Sequence, residues 1–297
     1  LVMNRRAARQ QARVPLPIST PVARQALAAL QTDGIAILRM EDLEGGGALF
    51  NQLLEEEAHV WSSRETEIAA RRIEAARQGI AIHKGYALTA LPEGEVLRYE
   101  QPCVRLALHP ELLGVVNAFL GLYAHLRKVE YWYTLAIPDQ AAAYSQLWHR
   151  DYEELNLVKA FVYLHDVEEG SGPFSFVRGT HRRDGRLRDP ASVASGRTNR
   201  VQDEEMRTVV SPDRWVVGTG RRGTAILAAT KGYHKGGFAT TRDRRLLALS
   251  YLSPWCRDYV LPKPITGVPA EVSPAVRFAA RSRWAVHPRA SAPQWRE

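Results

Sequence analysis

"LVKAFVYLHDVEEGSGPFSFVRG", from Leu157 to Gly179, decides the fold. Two short runs of β-branched and aromatic residues flank a turn from Asp166 to Pro173, and that turn leaves no room for a helix between them. The same pattern recurs on both sides, in "HLRKVEYWYTLAI" from His125, "DRWVVGTG" from Asp213, "GTAILAAT" from Gly223 and "RRLLALSYLS" from Arg244. Successive strands without intervening helices argue against a parallel βαβ sheet and for a sandwich or barrel.

The N-terminal half reads differently. "STPVARQALAALQTDG" offers Ser19 or Thr20 as N-cap, Pro21 in the first helical position and Gly34 as the stop, with apolar residues at helical spacing between them. "GIAILRM" then reads as a buried strand, residues 48–78 as one or two helices, 79–99 as loop, "PCVRLAL" as a strand, and 110–120 as a helix ended by Gly121. The expected class is α+β with a mainly β core: helices first, then two packed sheets.

The basic start, with Arg5, Arg6, Arg9 and Arg13, reads as a disordered arm over residues 1–18, and Leu1-Val2 ahead of Met3 as a vector-derived remnant. Residues 19–262 are expected to form one domain, with a polar lid or insertion at about 183–215. Residues 263–297 read as an irregular tail anchored by Trp284.

A hydrophobic fraction of 45% and a charged fraction of 24% in 297 residues suit a globular chain able to bury a core. Two cysteines, Cys103 and Cys256, are too few for a disulfide framework and lack zinc-site spacing, which leaves the cytoplasm as the expected compartment. No apolar run reaches the length of a membrane span. The net charge of +8 suits an anionic small molecule or nucleic acid, but no nucleic-acid motif interleaves aromatic with basic residues, so a small-molecule partner is expected.

Just upstream of the opening stretch stands His149-Arg150-Asp151. Alternate residues on a strand share a face, so His149 and Asp151 can reach one ion while Arg150 points away. His234, at the end of the strand that opens with Gly223, supplies a third ligand. Two histidines and one carboxylate form a facial triad for Fe(II), which leaves open positions for chemistry. About ten residues later Arg244 and Arg245 begin a strand, where a guanidinium can hold a carboxylate bidentately.

These spacings, with "DVEEGSGPFSFVRGTHR" between them, resemble the phytanoyl-CoA dioxygenase family of iron(II)- and 2-oxoglutarate-dependent oxygenases. The resemblance runs from about Gln146 to Tyr251, with Thr180 where the family usually has serine. It implies a double-stranded β-helix, a cupin-like jelly roll with the N-terminal helices packed on one sheet. It also implies Fe(II), 2-oxoglutarate and O2, with His149, Asp151 and His234 as the metal ligands and catalytic centre. Arg244, or alternatively Arg245, would bind 2-oxoglutarate, helped by Thr230 and Gln146. Tyr133, Glu154, Lys159 and His181 are the expected substrate residues.

The activity implied is hydroxylation of a polar small molecule, as in a tailoring enzyme of specialised metabolism. Asp151 argues against halogenation, which needs a small residue at that position. The competing readings are a jelly-roll metal-binding protein without oxygenase activity and an oxygenase acting on nucleic acid.

Overall fold

The computed structural model describes residues 2–79, 84–91, 96–152, 157–182, 187–254 and 264–281. The N-terminal part holds α1 (Val2–Arg13), α2 (Pro21–Asp33), β1 (Ile35–Arg39), α3 (Gly46–Ser62), α4 (Glu65–Gln78), β2 (Ala87–Ala90), β3 (Leu97–Arg98), α5 (Pro102–Ala107) and α6 (Pro110–Leu120). The β-rich part follows with β4 (His125–Thr134), β5 (Trp148–His149), β6 (Leu157–Tyr163) and β7 (Phe174–Val177). Next come α7 (Ala191–Ala194), β8 (Arg200–Val201), α8 (Asp203–Arg207), β9 (Trp215–Val217), β10 (Thr224–Ala228), β11 (His234–Gly236) and β12 (Arg244–Leu252). β13 (Ile265–Thr266) and α9 (Pro274–Ala279) end the described chain.

Two antiparallel sheets form the jelly roll. The larger has six strands in the order β1-β10-β6-β12-β4-β2, and the smaller has five, β8-β5-β11-β7-β9. Helices cover one face of the larger sheet and the smaller sheet covers the other. The burial of β10 on all five residues follows from this double cover. Period-two alternation divides each long strand: Leu247, Leu249 and Tyr251 of β12 join the helix-side core, whereas Leu246 packs between the sheets.

α2 forms where its punctuation predicts. Thr20 Oγ1 accepts from the Ala23 N–H, Pro21 opens the helix, and Gly34 closes it at φ 83°, a left-handed conformation that glycine adopts without Cβ strain.

Four expectations change. The basic arm is helix α1: Ala7 is fully buried, the Ala7 carbonyl accepts from the Tyr123 N–H, and Asn4 donates to Ser253, while the arginines stay exposed. "PCVRLAL" is helix α5 rather than a strand, because Pro102 starts a helical turn that docks on α3, and a short apolar run does not by itself distinguish the two periods. Part of the expected loop at 79–99 is β2, which completes the edge of the larger sheet against β4. The tail contributes β13, paired in parallel with β3, and α9, capped by Ser273; Trp284 lies outside the described residues. No helix among the described residues is long and apolar enough to cross a membrane.

Candidate metal centre

His149 on β5 and His234 on β11 face each other in register across the smaller sheet, with ring centroids 4.3 Å apart. Asp151 follows directly, and its N–H donates to the Thr230 carbonyl, which fixes the turn out of β5. The carboxylate then lies 4.0 Å from His149 Nε2 and 3.7 Å from His234 Nε2. One ligand atom from each of the three residues falls within 4.8 Å of the others, a spacing that suits a single ion.

Both imidazoles are aimed by their own backbone. His149 Nδ1 donates to the Leu147 carbonyl at 2.8 Å and His234 Nδ1 to the Gly232 carbonyl at 3.0 Å. Each Nε2 lone pair is therefore directed at the centre. Burial, reinforced by His234, pushes His149 down to about 3, so the ring is neutral and ready to ligate at physiological pH. Burial alone would raise the Asp151 carboxyl, but Lys159 and the two histidines hold it well below the usual carboxylate range. Lys159 Nζ stands 2.7 Å from Asp151 Oδ2.

The triad lines a cavity of about 430 Å³ between the sheets. Arg244 also lines it, and its surroundings are informative. The side chain is buried, and its nearest acceptor, Thr134 Oγ1, is 3.5 Å from Nη2. Nε and Nη1 have no acceptor among the described residues. Burial lowers the Arg244 pKa from its ordinary value, as expected for a guanidinium withdrawn from water. A buried arginine in this state fits an incoming carboxylate. The donor set of the triad likewise fits ferrous iron.

Arg245 points the other way, toward the helices: Nη1 lies 3.1 Å from Glu57 Oε1, and its N–H donates to His165 Nε2. Adjacent strand residues face opposite sides, so Arg244 faces the cavity and Arg245 the face that the helices cover.

The same alternation corrects Tyr133. It lies on the helix side of β4, donates to Asp243 Oδ2 at 2.8 Å and meets Trp61 edge-on, while Trp132 faces the cavity. His181 is turned away from the cavity and packs near Gly34 and Phe119, filling space that a Cβ at Gly34 would occupy. Gln146 and Thr230 do not line the cavity either. Gln146 Oε1 accepts from the Ala143 N–H to hold a tight turn, and Thr230 acts on the centre through its backbone carbonyl. Lys159 does line the cavity, Arg150 pairs with Asp189 at 2.7 Å and covers the Tyr233 ring, and Glu154 lies outside the described residues.

The expected lid is tied down at its middle. β8 pairs with β5 so that Arg200 sits opposite His149, and Asp203 Oδ1 accepts from Trp148 Nε1. Sequence reasoning missed Lys84, Lys128, Glu130 and Arg200 as cavity residues. For Lys128 and Glu130 a signal existed: they alternate with Val129 and Tyr131, so the two charges share one face of the strand.

The phytanoyl-CoA dioxygenase (PhyH) family model matches residues 44–246. No curated protein matches the chain. Among solved structures, EctD from S. alaskensis with 2-oxoglutarate and 5-hydroxyectoine is similar at 18% identity over 92% of this chain and 90% of that one, with a TM-score of 0.54. The epimerase SnoN in complex with Fe3+, alpha ketoglutarate and nogalamycin RO is similar at 16% identity over 90% and 96%, with a TM-score of 0.49. At such identity the likeness to EctD speaks for the fold.

Proposed function

Since the chain belongs to the phytanoyl-CoA dioxygenase family, a 2-oxoglutarate-dependent non-haem iron oxygenase class, we propose that His149, Asp151 and His234 hold its Fe(II) and that Arg244 anchors 2-oxoglutarate. The observation that carries this reading is the buried guanidinium of Arg244, short of acceptors, in the same cavity as the triad. Arg245, engaged by Glu57 on the opposite face, is not part of the site.

Iron with 2-oxoglutarate and O2 supplies oxidation of an unactivated C–H bond, with succinate and CO2 as co-products. The residues of this chain supply orientation and exclusion of water. The Nδ1–H bonds fix both imidazoles, and Lys159 steadies the carboxylate of Asp151. Phe161, Phe174 and Leu246 form an apolar wall to the cavity and keep water from the reacting centre. With a carboxylate at position 151 no protein-side vacancy is left for a halide, so hydroxylation is the outcome we assign. The substrate is a polar small molecule, in keeping with the charged lining of the cavity.

Anaerobic addition of Fe(II) and 2-oxoglutarate should give a weak visible charge-transfer band that Asp151→Ala abolishes. A wild-type protein that binds both and shows no band would overturn the assignment.

A further inference from the structure

Arg244 marks one end of the cavity. β4 lies beside β12 in register, so that Arg244 is opposite Thr134 and Ser250 is opposite Lys128. β6 flanks β12 on its other side and places Lys159 opposite the same Ser250. The rung Lys128–Ser250–Lys159 is therefore six residues from Arg244 along the strand, about 20 Å away at the rise of an extended chain. All four residues line the one cavity.

Two more cations line the same cavity, one of them Arg200 on β8, opposite His149. Lys84 and Arg200 line the cavity, and Lys84 feels Arg200, Lys128 and Lys159 as neighbouring like charges. Burial first, and these three charges next, lower the Lys84 pKa from its ordinary value, with the Asp151 carboxylate only partly opposing them. The acids available among the described lining residues are Asp151, which Lys159 engages at 2.7 Å, and Glu130, which stands 4.0 Å from Lys128. The Lys84 ammonium has no hydrogen-bond or ion-pair partner among the described residues, and Arg200 makes its side-chain hydrogen bond to the neutral Asn199. Like charges gathered in a cavity repel one another, and an oxyanion placed among them removes that cost.

We propose that the substrate carries an oxyanion (carboxylate, phosphate or sulfate) which Lys84, Lys128 and Arg200 bind at the end of the cavity remote from Arg244. This inference deepens the oxygenase reading by naming the substrate class, and it rests on that reading. The two ends of the cavity then divide the work. Arg244 takes the co-substrate carboxylate, and the lysine-arginine end holds the substrate by its charged group, so that an uncharged part of it is presented to the iron.

Trp132 lines the cavity and its Nε1 donates to Glu130 Oε2, so a fluorescence change that Trp132→Phe abolishes reports on the surroundings of Glu130. The test titrates inorganic phosphate, pyrophosphate, sulfate and acetate into the anaerobic protein loaded with Fe(II) and 2-oxoglutarate, with chloride at matched ionic strength as the control. At least one oxyanion should bind saturably. Lys84→Met and Arg200→Met should each weaken it about tenfold, while Glu130→Gln should tighten it, a direction that damage to the fold would not produce. The visible iron–2-oxoglutarate band should persist in all three variants. Absence of saturable binding by every oxyanion, or equal affinity in wild type and the Lys84→Met/Arg200→Met double variant, would overturn the proposal. Loss of the band in wild type with oxyanion binding intact would instead defeat the oxygenase reading and leave the anion site standing.

Discussion

Replacing Arg244 by methionine tests both the isolation of this guanidinium and the co-substrate role proposed for it. In the protein without co-substrate, the guanidinium is buried, its best contact is Thr134 Oγ1 at 3.5 Å, and two of its nitrogens have no acceptor among the described residues. An unpaired buried charge opposes folding, so a methionine of similar length should leave the unliganded protein as stable as wild type or more so. If Arg244 anchors 2-oxoglutarate as proposed, the same substitution removes the guanidinium from a bidentate contact and leaves the ligand's carboxylate buried alone, at a cost of about 3–5 kcal/mol. That cost corresponds to a Kd for 2-oxoglutarate raised roughly a hundredfold to several thousandfold. Calorimetric titration of 2-oxoglutarate into the metal-loaded protein, together with urea melts with and without it, reads both quantities. The reasoning fails if Arg244→Met binds 2-oxoglutarate within about threefold of wild type. It fails equally if the unliganded variant unfolds several kcal/mol more easily.

The neighbouring residue should behave in the opposite way: Arg245→Met strands the buried carboxylate of Glu57 and should cost about 2 kcal/mol in a urea melt, less than a fully buried pair because Arg245 is itself 35% exposed, with 2-oxoglutarate affinity unchanged. His125 is held down to about 3 by burial, with Arg127 and Arg281 adding repulsion. Its folded value lies below its unfolded one, so stability is full above about pH 6.5 and declines as pH falls toward 3; the loss between pH 7.5 and pH 5 should be about 2 kcal/mol, and His125→Phe should flatten that slope. Gly172 sits at φ 65°, and a Cβ there would strike the Gly237 carbonyl and lie 2.6 Å from the Ala239 nitrogen, so Gly172→Ala should lower stability by at least about 2 kcal/mol on chemical denaturation.

Much of the molecule was legible from local chemistry. The helix at Pro21–Asp33 carries its own cap and stop, the strands from His125 onward carry their own turns, and His149, Asp151 and His234 stand at strand ends where side chains can converge. Segments whose structure depends on a distant partner were not legible. "PCVRLAL" becomes helical against α3, and Ala87–Ala90 becomes a strand only because β4 offers it an edge. α1 is held by Tyr123 and Ser253, which lie far along the chain.

Residue order alone sets the period of each strand, and with it that Arg244 and Arg245, or Trp132 and Tyr133, must face opposite sides. It does not determine which side is the cavity. That phase is set by the helices, which dock on one face of the six-stranded sheet and claim Tyr133 and Arg245, leaving Trp132 and Arg244 to the space between the sheets. A period is a local property of the backbone, but its phase depends on which surface buries more apolar area against residues far away in the chain, and only the folded chain brings those together.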